Sequence, residues 1–202
     1  MTSPAGVPVS SLRDRKKLRT RRLLQSEALR LFAERGYEAT TVEDIAAAAE
    51  VSPRTFFRYF ASKEAVVLED EYDPLLFEEL ARIDPAEPPI RAMRRIIDAL
   101  LPDIYAEDRD RILARTTLVY STPHLRSAVN TQLAEFEAVV AETLAGVHGR
   151  APDDLEARVV AAVAVAAMRC AIEQWVAGGG EPDLGVLLDQ AFDVVERGLT
   201  LT

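Results

Sequence analysis

The chain has 202 residues, 49% of them hydrophobic and 6% aromatic, with one cysteine, two histidines and a formal net charge of −9. That length can bury a sizeable core, and the single cysteine excludes both an intrachain disulfide and a cysteine metal cluster. The charge is unevenly divided. Residues 1–63 carry 12 Lys/Arg against 7 Asp/Glu, or +5, and the remainder carries 12 against 26, or −14. A cationic front on an anionic body favours a polyanionic partner at one end, and the negative total does not argue against it.

Residues 1–12 are rich in Pro, Ser and Gly and are expected to form a disordered tail. They lack the charged n-region and apolar run of a secretory signal. Arg13 to Arg22 then sets seven basic residues against the single acid Asp14. Leu24, Ala28, Leu31 and Phe32 mark the buried stripe of a first helix that starts inside this run, and Gly36 ends it as a left-handed cap. The basic turns are suited to lying along phosphates, with Arg15, Lys16, Lys17 and Arg19 as candidates. A solvated charged helix end is the plainer alternative.

A second helix follows. Val42, Ile45, Ala46 and Ala49 make one apolar stripe, and Thr41 with Asp44 makes a capping-box-like start. Val51-Ser52-Pro53 breaks the chain, with Ser52 an N-cap and Pro53 at the first position of a third helix. Phe56 and Phe60, at i and i+4, are expected to face inward, leaving Arg54, Thr55, Phe57, Arg58 and Tyr59 on the other faces. A short helix with an aromatic core face and Arg and Thr outside is what a major-groove reader needs. An ordinary helical hairpin with a charged solvent face has the same local pattern; the basic helix upstream and the Ser62-Lys63 helix start downstream favour the reader.

These residues resemble a known family. Leu31 to Ala46, then Val51 to Phe60, then Ser62-Lys63-Glu64 are similar to the N-terminal domain of the TetR family of bacterial regulators, over about residues 15 to 68. Arg58 departs from the family pattern, which often carries an aromatic there. The resemblance implies a dimeric repressor that reads double-stranded, palindromic operator DNA. Arg54, Thr55 and Arg58 are then expected to contact bases. Thr41, Phe57, Tyr59 and Lys63 are expected to hold phosphates or sugars with the first-helix basics.

Downstream, Ser62 caps a fourth helix that Pro74 ends or kinks. Asp84 to Pro89 is a proline-rich loop. A fifth helix runs from about Ile90 to Tyr105, a polar patch from Ala106 to Asp110 separates it from a sixth, and Thr122-Pro123 starts a seventh that Gly146 to Gly149 closes. The eighth runs from about Pro152 to the Gly178 triplet and the ninth starts near Pro182-Asp183. No strand alternation of useful length occurs. The fold is expected to be all-α, with about nine helices: a helix-turn-helix domain over 13–63 and a helical ligand-binding and dimerisation domain over 64–202.

The eighth helix is apolar on nearly all sides from Val159 to Ala167 and so must be covered everywhere. Pairing of helices 8 and 9 with a second copy in a four-helix bundle would cover it, and the centre of a monomeric core would do the same. That run is also too short for a bilayer, which needs about 20 residues, so a cytoplasmic protein without membrane contact is expected. Cys170 reads as a small buried apolar residue.

Catalytic signatures are absent: neither His124 nor His148 has metal-ligand spacing, and the Gly178 triplet ends a helix instead of cradling a phosphate. No enzyme, metal or cofactor is expected. The helices beyond the reading head can enclose an effector cavity of about 300–1,000 Å³. Met93, Ile97, Arg115, Tyr120, Phe136, Val140, Met168, Ile172 and Trp175 are its candidate lining, although large side chains at helical spacing are usually core. The stretch Arg115 to Arg126, with Gln132 to Glu137, is similar to the mycofactocin-regulator subgroup of the same family, which implies an acyl-CoA-like effector. A constitutive DNA-binding protein with a filled body, or a helical enzyme or carrier with a fortuitous hairpin, are the rival readings.

Overall fold

The computed structural model describes residues 12–69 and 73–199, and these are all-helical, with helices joined by turns and loops. The expected tail over residues 1–12 lies outside them except for Leu12. The helices are α1 (Leu12–Arg35), α2 (Val42–Ala48), α3 (Pro53–Tyr59), α4 (Ala65–Leu68), α5 (Asp73–Leu80), α6 (Pro89–Ser121), α7 (Pro123–Val147), α8 (Leu155–Ala177) and α9 (Leu184–Glu196). They belong to two compact units, one drawn from Met1–Glu71 and Asp110–Ala128, the other from Tyr72–Arg109 and Val129–Thr202. The first unit therefore includes the last turns of α6 and the first turn of α7.

In the first unit α1 buries the stripe its sequence announces: Leu24, Ala28, Leu31 and Phe32 are each 3% exposed or less. Gly36 ends the helix at φ +85°, where a residue with a Cβ is disfavoured, and its N–H bonds the Phe32 carbonyl. α2 begins with a complete capping box between Thr41 and Asp44 and buries Ile45 and Ala46. After Ala49 the chain turns through Glu50 at φ +54°, a left-handed conformation held by a non-glycine residue. The Val51 N–H closes back on the Ala46 carbonyl. Ser52 then caps α3, with Pro53 at its first position.

Two expectations about helix boundaries are corrected. The fourth helix is divided: α4 covers only Ala65–Leu68, and a new helix, α5, starts at Asp73 with Pro74 in its first turn, where a missing N–H breaks no bond. The expected fifth and sixth helices are one, α6, which is 33 residues long and carries Pro102 inside it. The patch from Ala106 to Asp110 is polar yet contains neither Gly nor Pro. Polarity alone places residues toward water and does not end a helix.

In the second unit α8 packs along α9. Asp154 caps α8 through the Ala157 N–H, and Asp183 caps α9 through the Gly185 N–H. Leu184, Leu187, Leu188 and Phe192 make the buried face of α9. Trp175 is fully buried and its indole N–H donates to the Gly180 carbonyl at 3.1 Å. None of the described helices is long and apolar enough to cross a membrane.

Candidate DNA-reading face and effector body

The candidate reading face is set by what α3 and the residue after it bury. Phe56 and Phe60 are 0% and 1% exposed, and their rings lie 5.8 Å apart. That contact fixes the rotation of the helix, so Arg54, Phe57 and Arg58, at i, i+3 and i+4, are exposed together. Phe57 is 54% exposed, and its ring meets that of Phe56 edge-on at 5.5 Å. The Arg58 guanidinium lies 5.2 Å from the centre of the Tyr59 ring. Thr55 is half-buried, its hydroxyl 3.0 Å from that of Ser52 and its N–H donating to the same cap. Tyr59 is half-buried as well.

The residues expected on phosphates divide into two groups. Lys16, Lys17 and Arg19 are exposed on α1, and the Arg15 side chain lies outside the described residues. Thr41 and Lys63, in contrast, have internal partners. The Thr41 hydroxyl donates to the Asp44 carboxylate at 2.6 Å. The Lys63 ammonium donates to the carbonyls of Tyr37 and Thr40 at 2.9 and 3.1 Å and sits 4.2 Å over the Tyr37 ring. It closes the loop between α1 and α2. Next to it, the Ser62 hydroxyl holds the Glu64 carboxyl below its ordinary range. Burial, with the Glu64 charge, pushes the Tyr37 phenol well up.

Two residues of α1 that sequence reasoning passed over organise this unit. Arg21 lies 4.4 Å over the Phe60 ring, donates to the Tyr59 carbonyl at 3.2 Å and pairs with Glu69 at 2.7 Å. Gln25 is 2% exposed. Its amide donates to the carbonyls of Val66 and Glu69 at 3.4 and 3.2 Å, and its side-chain oxygen accepts from Arg111 at 3.1 Å. Arg115 donates to the same Glu69 carbonyl at 3.5 Å. The end of α4 is thus tied to α1 and to the last turns of α6. A polar residue on an apolar helix face, here Gln25 beside Leu24 and Ala28, was the available signal.

The effector candidates are not brought together as one set. Arg115 and Tyr120 belong to the first unit, whereas Met93, Ile97, Phe136, Val140, Met168, Ile172 and Trp175 belong to the second. Met93, Ile97 and Val140 are buried, Trp175 is hydrogen-bonded core, and Phe136 packs on Phe77 at 5.5 Å. Met168 and Ile172 are half-buried. A groove of about 520 Å³ lies along α8 and α9 instead, and Val163, Ala167, Cys170, Leu187, Ala191 and Val195 are among its lining. None of the effector candidates lines it. Cys170 is exposed there, which corrects the expectation of a buried thiol. The run from Val159 to Ala167 is also incompletely covered within one chain: Ala161 and Ala164 are buried, but Val159 is 52% exposed and Leu155, just before it, 71%. Among the described residues no group of His, Cys, Asp and Glu could hold a metal ion.

The chain is similar to known proteins. A family model described as bacterial regulatory proteins, tetR family, matches residues 24–69, and one described as MftR C-terminal domain matches residues 87–200. The HTH-type transcriptional regulator TcmR of Streptomyces glaucescens is 38% identical over 172 residues, covering 81% of this chain and 76% of that protein. MftR of Mycobacterium tuberculosis, named for transcriptional regulation of mycofactocin biosynthesis, is 29% identical over 195 residues, 96% of this chain and 98% of its own. The crystal structure of Thermus thermophilus FadR, a TetR-family transcriptional repressor in complex with lauroyl-CoA, superposes with a TM-score of 0.57 at 25% identity over 90% of this chain and 96% of that one.

Proposed function

The chain belongs to the TetR family of bacterial transcriptional regulators, and from that premise we propose a dimeric repressor that binds a palindromic operator and is released by a small apolar or acyl-CoA-like effector. The observation that carries the DNA-reading part is the joint exposure of Arg54, Phe57 and Arg58 on a helix locked by buried Phe56 and Phe60. Arg58 is the candidate for a guanine edge, which a guanidinium meets with two parallel hydrogen bonds. Arg54 and Thr55 read beside it, and Lys16, Lys17 and Arg19 with Tyr59 hold the backbone.

Dimerisation through α8 and α9 would cover the apolar groove and the exposed Leu155, Val159 and Val186. A two-fold pair of reading helices about 34–36 Å apart would meet successive major grooves. For the effector, support comes from the lauroyl-CoA held by the FadR relative and from the apolar side chains of the second unit. In this proposal Arg115 serves α4 and not the ligand. A body already filled, giving a constitutive binder, is the second reading; the burial of Met93, Val140 and Trp175 favours it.

The test is a binding titration on operator and on random duplex. Arg58→Ala is expected to weaken operator binding by about 5- to 150-fold, the value of one base-reading pair, with little change on random DNA. Equal loss on both would make Arg58 a phosphate contact. Lauroyl-CoA separates the two readings of the body. A true effector at 100 times its dissociation constant stabilises the native state by about 2.7 kcal/mol and releases the operator. No shift and no release across acyl chain lengths favours the filled body.

A further inference from the structure

We infer that Phe57 reads the 5-methyl group of a thymine in each operator half-site, as a base contact and not a backbone one. This rests on the DNA-reading proposal above and deepens it. The helical period puts Phe57 on the same face as Arg54 and Arg58, and all three side chains are exposed. A residue at the rim of that face would meet phosphates, which need a donor, and a phenyl ring has none to offer. What the ring offers is an apolar edge, 54% open to solvent and flanked by the exposed Arg54 and Arg58.

One aromatic contact supports its direction. The ring leans edge-on against Phe56 at 5.5 Å, and Phe56 is fully buried, so Phe57 keeps its outward aim without a hydrogen bond of its own. In the major groove the apolar feature of a base pair is the thymine methyl, and aromatic and methyl side chains are its partners. Arg58 beside it carries the guanidinium suited to guanine. The two neighbours on the face therefore specify different bases: one by hydrogen bonds, the other by excluding water from a methyl group.

Deoxyuridine removes that methyl and nothing else. An operator recovered by selection from random duplexes is resynthesised with each thymine of one half-site replaced in turn by deoxyuridine, and its affinity for wild-type protein and Phe57→Ala is measured by fluorescence anisotropy. At one position, or two adjacent ones, wild type is expected to lose about fourfold, the effect of burying one methyl-sized group. Phe57→Ala is expected to show no loss there, and Phe57→Leu, which keeps apolar bulk, part of it. Thermal melts of both variants confirm that the fold is kept. The inference is overturned if no thymine is sensitive in wild type, or if the sensitivity persists unchanged in Phe57→Ala. Failure of wild type to select any sequence would instead sink the DNA-reading proposal, and it would be seen before any base is altered.

Discussion

Lys63 shows how one side chain's surroundings decide its work. As a cation in the turn before α4 it looks like a phosphate contact, but two of its three N–H bonds go to the carbonyls of Tyr37 and Thr40, and the Tyr37 ring lies against it. Hydrogen bonds from a charged donor contribute about 1.5–3 kcal/mol where they are sheltered. Lys63→Ala is therefore expected to lower the melting midpoint of the protein. The dependence of operator affinity on salt should stay as it is, because no phosphate contact is lost. A slope flatter by about one unit in a log–log salt titration would return Lys63 to the DNA. The same distinction separates Arg21, held by Tyr59, Phe60 and Glu69, from the exposed Lys16, Lys17 and Arg19 on its helix. All four share one basic run, but neighbours from distant parts of the sequence give Arg21 an internal role.

Among the elements, α4 is short and strongly held. Four residues bury little, so its position depends on Val66 and Val67 in the core and on the bonds that Gln25 and Arg115 make to its final carbonyls. Arg111 completes the bridge from α6. If α6 sets α4 through this bridge, Gln25→Met and Arg111→Met should each weaken operator binding severalfold, and the double variant no more than the worse single one. Hydrogen exchange over residues 64–69 should quicken in Arg111→Met even without DNA. Additive losses, or unaltered exchange, would reduce Gln25 to a satisfied core polar group. Helix starts were legible because caps are local: Thr41, Ser52, Asp154 and Asp183 each bond an N–H two or three residues on. The turn before α3 was less so, because Glu50 adopts a conformation that sequence reading reserves for glycine.

At the scale of the whole molecule, the open side of α8 and α9 is an unfinished apolar surface. Leu155 and Val159, with the groove through Val163 and Cys170, present apolar area to water. Such patches mark interfaces. Cys170→Glu puts a charge at an exposed position of that groove without touching the buried side of either helix. It is expected to leave helicity intact, shift the protein to monomer in analytical ultracentrifugation and abolish tight operator binding. A variant that still sediments as a dimer would move the interface away from α8 and α9.

The sequence by itself determined the helical class, most helix starts, the inward turn of Phe56 and Phe60 and hence the outward set on α3. These depend on contacts within a few residues, which period and capping chemistry encode. Only the tertiary structure decided that α6 runs unbroken through Ala106 to Asp110 and that Gln25 and Arg115 meet α4. It also decided that Cys170 faces outward and that the aromatic and sulfur side chains offered for a cavity divide between core and half-buried positions. The contacts to α4 depend on partners 40 or more residues away in the chain, and the exposure of Cys170 on which face of a mostly apolar helix is left uncovered. A one-dimensional pattern carries no distance between such residues, so the packing that joins them had to be seen.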